Sequence, residues 1–252
     1  HVRSRRQRQM CIRDRALQRA GDLVSEGVQR GTMYYAAVSA REGPFADARV
    51  RLALRSLIDY QGINASIMPG YGVLHQRPVQ RGLDATLPEP GYALDVDAAR
   101  KLLAEAGYPQ GFKTTIRVLA ESPFINIATS LQATLAQAGI QAAILPGTGN
   151  QVYGAMRERK FDIIVGRGGG GAEPHPHSSL RALVYNPDNR DEARLTNFQG
   201  WRTSFFSPAI NARIEEAVTQ ADPVRQKAMY QDIQREFERE VGAIFPLSLI
   251  HI

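Results

Sequence analysis

Residues 113–165 read KTTIRVLAESPFINIATSLQATLAQAGIQAAILPGTGNQVYGAMRERKFDIIV, and this stretch decides the fold class. Alternating polar and apolar side chains predict strands within it, and apolar side chains three or four positions apart predict helices. The predicted elements are, in order, a strand over 113–119, a helix over 124–138, a strand over 140–145, a short helix over 152–159 and a strand over 161–165. This alternation predicts an α/β fold in which at least some strands pair in parallel.

The residues on either side extend this pattern. Before it, the sequence predicts a strand over 33–38, a helix over 47–60, a glycine- and proline-rich loop over 68–92 and a helix capped by Asp95. After it, the sequence predicts a glycine-rich loop over 166–171, helices over 178–184 and 208–218, a long helix that begins after Asp222 and ends before Gly242, and a strand over 243–247. The Asp222–Pro223 pair is a strong helix start, because aspartate accepts from free amides and proline suits the first helical position.

The net charge of +6 is concentrated at one end of the chain. Residues 1–15 carry six arginines against one aspartate, so the rest of the chain is almost neutral. A basic arm of this kind can bind nucleic acid, which predicts strongly salt-dependent binding. The alternative is that HVRSRRQRQMCIRDR resembles translated sequencing-adapter sequence, as does SLIHI at 248–252. We expect residues 1–15 to be a non-native leader, and we expect no nucleic-acid partner.

The composition excludes several other classes of protein. The single cysteine, Cys11, lies in the suspect leader, so the body of the chain has no thiol for a disulfide, a nucleophile or a zinc–thiolate site. No apolar run approaches the roughly 20 residues that a membrane-spanning helix needs. The leader also has no apolar segment or small-residue cleavage site that would make it a secretory signal.

The sequence GRGGGGAEPHPH at 166–177 is the strongest candidate for a binding site. Glycines let a ligand approach the backbone, and successive amides can bind an anion. An arginine beside them can bind a carboxylate through two hydrogen bonds. The candidate ligand-binding residues here are Arg167, Gly168, Gly169, Gly170, Glu173 and His175. The structural alternative is a flexible linker or a tight turn, and neither a P-loop nor a dinucleotide-binding motif is present.

A metal- or carboxylate-dependent hydrolase that uses Glu173, His175 and His177 is the alternative function. Imidazole and carboxylate together suit nickel or zinc. However, two histidines at i and i+2 in a loop broken by proline do not form a standard metal site. We therefore expect no catalytic residue, no metal and no cofactor, and the hydrolase remains an open alternative.

Aromatic side chains supply two further candidates, Tyr35 and Trp201. Trp201 is the only tryptophan and lies in NFQGWRTSFF at 197–206, while Tyr35 follows Tyr34 in the first predicted strand. Because neighbouring residues of a strand point to opposite faces, at most one of the two tyrosines faces a given cleft. Both groups of aromatic residues suit either stacking on a ligand or packing in a core.

Several segments, in this order, resemble one protein family. These are PFADARVRLALRSLIDYQGI at 44–63, LDVDAARKLLAEAGYPQGF at 94–112, KFDIIVGRGGGGAEPHPHSSL at 160–180 and RQKAMYQDIQREFEREVGAIFPLS at 225–248. They resemble the dipeptide-, oligopeptide- and nickel-binding receptors of bacterial ABC importers, and the second segment, with EAGYPxGF, is the most specific. The resemblance covers about residues 32–248.

The resemblance implies a two-lobed periplasmic binding protein of the Venus-flytrap type, of which this chain is the second lobe with a remnant of the first. Residues 16–38 would hold the remnant and the first crossing strand, residues 39–242 the second α/β lobe, and residues 243–252 the returning strand. The implied function is a receptor that closes on a small solute and docks on an ABC permease in the inner membrane.

The resemblance also implies a location, a solute class and residue roles. The location would be periplasmic or extracytoplasmic, with the signal peptide missing from this stretch, and the protein would act as a monomer. The solute would be peptide-like, opine-like or a metal chelate. Glu173 would replace an aspartate that often binds a peptide's amine, Gly169 or Gly170 would replace an aromatic residue, and Trp201 would match a position that is often aromatic.

Overall fold

The computed structural model describes residues 29–69, 72–89, 91–169 and 173–251. These residues form one sheet with strand order β2–β6–β1–β5–β3–β4. The strands are β1 (Gln29–Val38), β2 (Gly72–Leu74), β3 (Lys113–Leu119), β4 (Gln141–Gly147), β5 (Ile163–Gly169) and β6 (Ile244–His251). The leader at 1–15 and the rest of the stretch before Gln29 lie outside the described residues.

The helices are α1 (Ala48–Ser56), α2 (Val96–Glu105), α3 (Phe124–Gln137), α4 (Gly149–Arg157), α5 (Pro176–Leu183), α6 (Gln199–Arg202), α7 (Pro208–Thr219) and α8 (Pro223–Arg239). Short helical turns span Pro44–Ala46, Tyr60–Gly62, Ile63–Ile67 and Asp191–Ala193. The predicted caps are confirmed, because Asp95 accepts from the Ala98 amide and Asp222 accepts from the two amides of residues 224 and 225.

Parallel pairing on one side of the sheet confirms the predicted α/β class. Strand β3 pairs in parallel with both β4 and β5, so that Ile116 lies opposite Ile144 and Ile163. Strand β1 pairs antiparallel with β5 on one side and β6 on the other. Consecutive side chains of β1, from Met33 to Val38, are buried, which is expected of a strand covered on both faces.

Strand β5 continues through Gly169, across the first part of the predicted glycine-rich loop. Strand β1 supplies the partner, with Tyr35 opposite Gly166. A Cβ atom at Gly166 would lie 3.0 Å from the Tyr35 hydroxyl, and one at Gly168 would lie 2.8 Å from Gln199 Nε2. These two glycines therefore allow Tyr35 and Gln199 to pack on the strand. The prediction of a loop over 166–169 is wrong, and Gly170 lies outside the described residues.

Two further boundaries differ from the predictions. The predicted loop over 68–92 contains strand β2, which pairs with β6 and is only three residues long. The predicted helix over 47–60 ends at Ser56 and is followed by separate helical turns. No helix among the described residues is long and apolar enough to cross a membrane.

Candidate functional site

One edge of the sheet gathers the ends of several strands, and we call it the carboxyl edge. Strands β3, β4 and β5 run in the same direction, so their carboxyl ends meet there. Because β1 is antiparallel to β5, its first residue lies at the same edge, and Gln29 pairs with His251 at the end of β6. The segments before Gln29 and after His251 therefore attach at the carboxyl edge. Ligands of open α/β sheets usually bind at this kind of edge.

An arginine and three aromatic residues meet at the carboxyl edge, and we call them the Arg167 cluster: Tyr34, Phe124, Tyr153 and Arg167. The Tyr34 ring meets the Phe124 ring edge-on at 5.2 Å. The Arg167 guanidinium lies 6.0 Å from the centre of the Phe124 ring. The Tyr153 hydroxyl donates to the Arg167 carbonyl at 3.2 Å and accepts from the Arg167 amide at 3.0 Å. These contacts fix the backbone of Arg167 and leave its charge at the surface.

The electrostatics of this cluster favour an anionic ligand. Arg167 is exposed and forms no ion pair with any residue that the structure describes. Burial raises the pKa of Tyr34, while the charge of Arg167 and its hydrogen bond act in the opposite direction. A guanidinium without a carboxylate partner, beside aromatic rings, can bind a carboxylate through two parallel hydrogen bonds.

The structure places Tyr35 in the core. Its side chain is 1% exposed, and its hydroxyl donates to the sulfur of Met156 at 3.7 Å. Burial raises the pKa of this hydroxyl. Because the two tyrosines of β1 point to opposite faces, Tyr34 is the one that joins the Arg167 cluster. Tyr34 therefore replaces Tyr35 as the candidate ligand-binding tyrosine.

Trp201 is also buried, with 3% of its surface exposed. Its indole nitrogen donates to the Arg190 carbonyl at 3.0 Å, and the Arg159 guanidinium lies 4.7 Å from the ring centre. Arg159 precedes β5, so this packing lies toward the opposite edge of the sheet from the Arg167 cluster. The contacts of Trp201 thus match the structural alternative, a packed aromatic cluster.

The two histidines that follow the glycine-rich segment both contact α8. The His175 ring meets the Tyr230 ring edge-on at 5.6 Å, and the His177 ring lies 6.4 Å from it. His175 caps α5, because its Nδ1 atom accepts from the His177 amide at 3.1 Å. Glu173 is exposed, and its carbonyl accepts from the His175 amide.

These positions give the hydrolase alternative little geometric support. Burial lowers the pKa of His177, helped by the charges of Arg181 and His175 and opposed by Glu173. The described residues contain no group of three or more histidine, cysteine or acidic side chains placed to hold a metal ion. One nitrogen of His175 is already used as a helix cap.

Sequence reasoning missed Phe124, Tyr153 and Tyr230, and it left open which of Tyr34 and Tyr35 faces a cleft. Phe124 and Tyr230 lie in predicted helices, where an aromatic residue is read as core. Only the fold shows that the first turn of α3 and the middle of α4 both reach the end of β5. The one available signal was that both helices, α3 and α4, follow the carboxyl end of a predicted strand, where ligands bind.

Comparison with known proteins agrees with this architecture. The chain is 25% identical to the glutathione-binding protein GsiB of Pectobacterium atrosepticum over 84% of this chain and 41% of the relative. It is also 25% identical to the periplasmic oligopeptide-binding protein OppA of Escherichia coli, over 85% of this chain and 39% of the relative. The chain thus spans less than half the length of these relatives.

Solved structures share the fold. HbpA2 from Haemophilus parasuis superposes with a TM-score of 0.82 at 20% identity, over 95% of this chain and 47% of that one. The periplasmic binding protein DppA from Helicobacter pylori, in complex with the peptide STSA, superposes with a TM-score of 0.79 at 20% identity. The match covers 90% of this chain and 43% of that one. The family model for bacterial extracellular solute-binding proteins, family 5 middle, matches residues 13–191, which are most of the chain. The chain therefore belongs to the family 5 bacterial extracellular solute-binding proteins.

Proposed function

We propose that this chain is one lobe of a receptor that binds a small solute between two lobes and delivers it to an ABC permease. The observation that carries the proposal is the pairing of β1 with β6 at the carboxyl edge. Two neighbouring strands whose outer ends lie at the same edge can carry the chain into a second lobe and back. The Arg167 cluster lies at that same edge, where a second lobe would face it.

The proposed division of the chain follows from this crossing. Residues 16–38 hold a remnant of the first lobe and the first crossing strand, residues 39–242 form the second α/β lobe, and residues 243–252 return to the first lobe. In support, the chain covers less than half the length of its relatives. OppA of Escherichia coli is periplasmic by its name, and we propose an extracytoplasmic location and a monomeric receptor here.

The proposed mechanism is closure of the two lobes around the solute. A solute that contacts both lobes binds the closed form more tightly, so it shifts the population toward that form. No covalent bond is made or broken, so the receptor is not an enzyme. Arg167 binds an anionic group of the solute, and Glu173 binds a cationic group. The backbone of Gly168 and Gly169 and the ring of His175 are further candidate contacts of the solute, while the candidate Gly170 lies outside the described residues.

These opposite charges favour a solute that carries both signs, such as a peptide-like or opine-like molecule. Arg167 and Glu173 are both exposed, and neither forms an ion pair with a described residue. Tyr35 and Trp201, which are buried, act by holding β5 and its neighbours in place.

The test uses the complete receptor with both lobes. Short peptides, opines and metal chelates are screened for a rise in melting temperature, and each hit is measured by calorimetry and small-angle X-ray scattering. We expect a hit to compact the receptor and Arg167→Ala to weaken its binding at least about tenfold. Lys160→Ala, a change of an exposed residue just before β5, is the control. A receptor that is not compacted by any solute would contradict the proposal.

A further inference from the structure

The last part of β5 has a neighbouring strand on one side only. Strand β3 pairs with β5 as far as Val118, which lies opposite Val165. Beyond that point, residues 166–169 pair with β1 alone, and no other described strand lies beside them. Three of these four residues are glycines, which lose more conformational freedom on folding than any other residue. The extended conformation of this segment therefore gains from a further contact.

The side chain of Tyr153 supplies this contact. Its hydroxyl accepts from the Arg167 amide at 3.0 Å and donates to the Arg167 carbonyl at 3.2 Å. The amide and the carbonyl of one strand residue point to the same side of the strand, so a single hydroxyl on that side can bond to both. Tyr153 lies on α4, which contacts β3 and β4, so its hydroxyl approaches from the side where β3 has ended.

The direction of the Arg167 side chain depends on this backbone geometry. Arg167 lies opposite Tyr34 in the register, and both side chains stand on the face that carries Phe124. The glycines on either side of Arg167 face Tyr35 instead. A shift of one residue at this end of β5 would move the guanidinium to the opposite face. The two bonds to Tyr153 therefore keep the charge of Arg167 beside Tyr34.

We propose that Tyr153 is a positioning residue for solute binding: its hydroxyl takes the place of β3 beside the end of β5 and holds Arg167 where it meets the anionic group of the solute. This rests on the proposed function, in which Arg167 binds that group. Tyr153 does not itself donate to the solute, because the Arg167 carbonyl uses its one hydrogen. Its effect on binding should therefore depend entirely on Arg167.

Hydrogen exchange followed by mass spectrometry tests the first step, with the complete receptor and without solute. Tyr153→Phe keeps the ring and removes the hydroxyl that accepts from the Arg167 amide. We expect amide exchange in residues 166–169 to become at least about fivefold faster. Tyr185→Phe is the matched control, because it removes another half-buried hydroxyl, which donates to Glu215. It should leave exchange in residues 166–169 unchanged, and the two variants should have similar melting temperatures.

Trialanine and trialanine amide test the second step, because only the first of these tripeptides carries a carboxylate. We expect Tyr153→Phe to weaken the binding of trialanine to the complete receptor at least about fivefold and to leave binding of the amide unchanged. In a receptor that already carries Arg167→Ala, Tyr153→Phe should have no further effect on either tripeptide. Calorimetry measures the dissociation constants of the four proteins.

Several results would overturn the proposal. Unchanged exchange in residues 166–169 would show that the hydroxyl does not order the end of β5. Unchanged binding of trialanine by Tyr153→Phe would show that Arg167 does not need it. Equal weakening of both tripeptides, or weakening that persists without the Arg167 side chain, would show a general structural role. Trialanine that fails to bind the unmodified receptor would contradict a peptide-like solute instead, and the exchange measurement would still decide whether Tyr153 orders β5.

Discussion

The two edges of the sheet use their polar groups in different ways. At the edge where β3 and β5 begin, which we call the amino edge, polar groups bond to one another. The Asp162 carboxylate accepts from both the amide and the hydroxyl of Thr115, at 2.9 and 2.7 Å. The Arg159 guanidinium bonds to Ser204 and Asp191. At the carboxyl edge, by contrast, Arg167 has no ion pair with a described residue.

The difference separates the part of the molecule that maintains the fold from the part that can bind. Buried polar groups that already have partners stabilise one conformation and have little left to offer a ligand. An exposed cation held by its backbone, as Arg167 is by Tyr153, has hydrogen-bond donors left for another molecule. Substitutions at the amino edge should therefore affect stability, and substitutions at the carboxyl edge should affect binding.

Arg51 at the amino edge should give the largest effect on stability. Its buried guanidinium donates to the carbonyls of Phe45, Ala46, Glu240 and Val241, at distances from 2.6 to 3.2 Å. These bonds join the start of α1 to the end of α8. Arg51→Met would leave buried carbonyls without partners, so we expect the free energy of unfolding to fall by about 3–5 kcal/mol. Urea denaturation measures this change.

Arg49 provides a matched control on the same helix. It is half-exposed and pairs with Asp47 at 2.6 Å, so Arg49→Met should lower the free energy of unfolding far less than Arg51→Met does. Equal losses in the two variants would mean that the four carbonyls do not depend on Arg51. The comparison between the edges would then lose its strongest support.

Much of the amino edge could be predicted from the sequence, because local signals act there. Asp95 caps α2 as expected, and Gly107 follows the end of the helix with a φ of 91°. Packing also explains why the EAGYPxGF segment has its glycine and phenylalanine at the end. A Cβ atom at Gly111 would lie 2.2 Å from the Gly139 carbonyl, and Phe112 packs against Phe45 at 5.5 Å. Caps, positive φ angles and helical periodicity are all visible within a few residues.

The carboxyl edge could be predicted only in part, because its contacts join distant segments. Arg167 was identified beside the glycines, but the continuation of β5 through 166–169 depends on pairing with β1. Without that partner, the three glycines of this stretch indicate a loop. Tyr35 and Trp201 were chosen as candidate ligand-binding residues for their aromatic rings, but tertiary packing buries both of them. Tyr34 and Tyr153 meet Arg167 only through the order of the strands.

His75 should make stability depend on pH. It follows β2, where its amide donates to the Leu247 carbonyl of β6, and it is 7% exposed. Burial, together with the charges of Arg77 and Arg81, lowers its pKa to about 4, against smaller opposing hydrogen bonds with the backbone of residues 77 and 79. Below pH 6.5 the unfolded chain binds a proton that the folded chain takes up only near pH 4. Stability should therefore fall as the pH falls through this window.

The size of this effect can be separated from the titration of other groups with the variant His75→Gln. Between pH 7 and pH 5, the unmodified chain should lose about 2 kcal/mol more of its unfolding free energy than the variant does. Urea denaturation of both proteins at the two pH values gives the difference. Parallel losses would show that His75 is protonated equally in the folded and unfolded chains.

Arg167→Ala should give the smallest change in stability and so tests the other side of the comparison. Its guanidinium is exposed and forms no ion pair among the described residues, and its backbone bonds to the Tyr153 hydroxyl do not need the side chain. We expect the free energy of unfolding to stay within about 0.5 kcal/mol of the original value. A loss comparable to that of Arg51→Met would mean that Arg167 also maintains the fold. In that case, weaker solute binding by Arg167→Ala in the complete receptor could no longer be assigned to a lost contact with the solute.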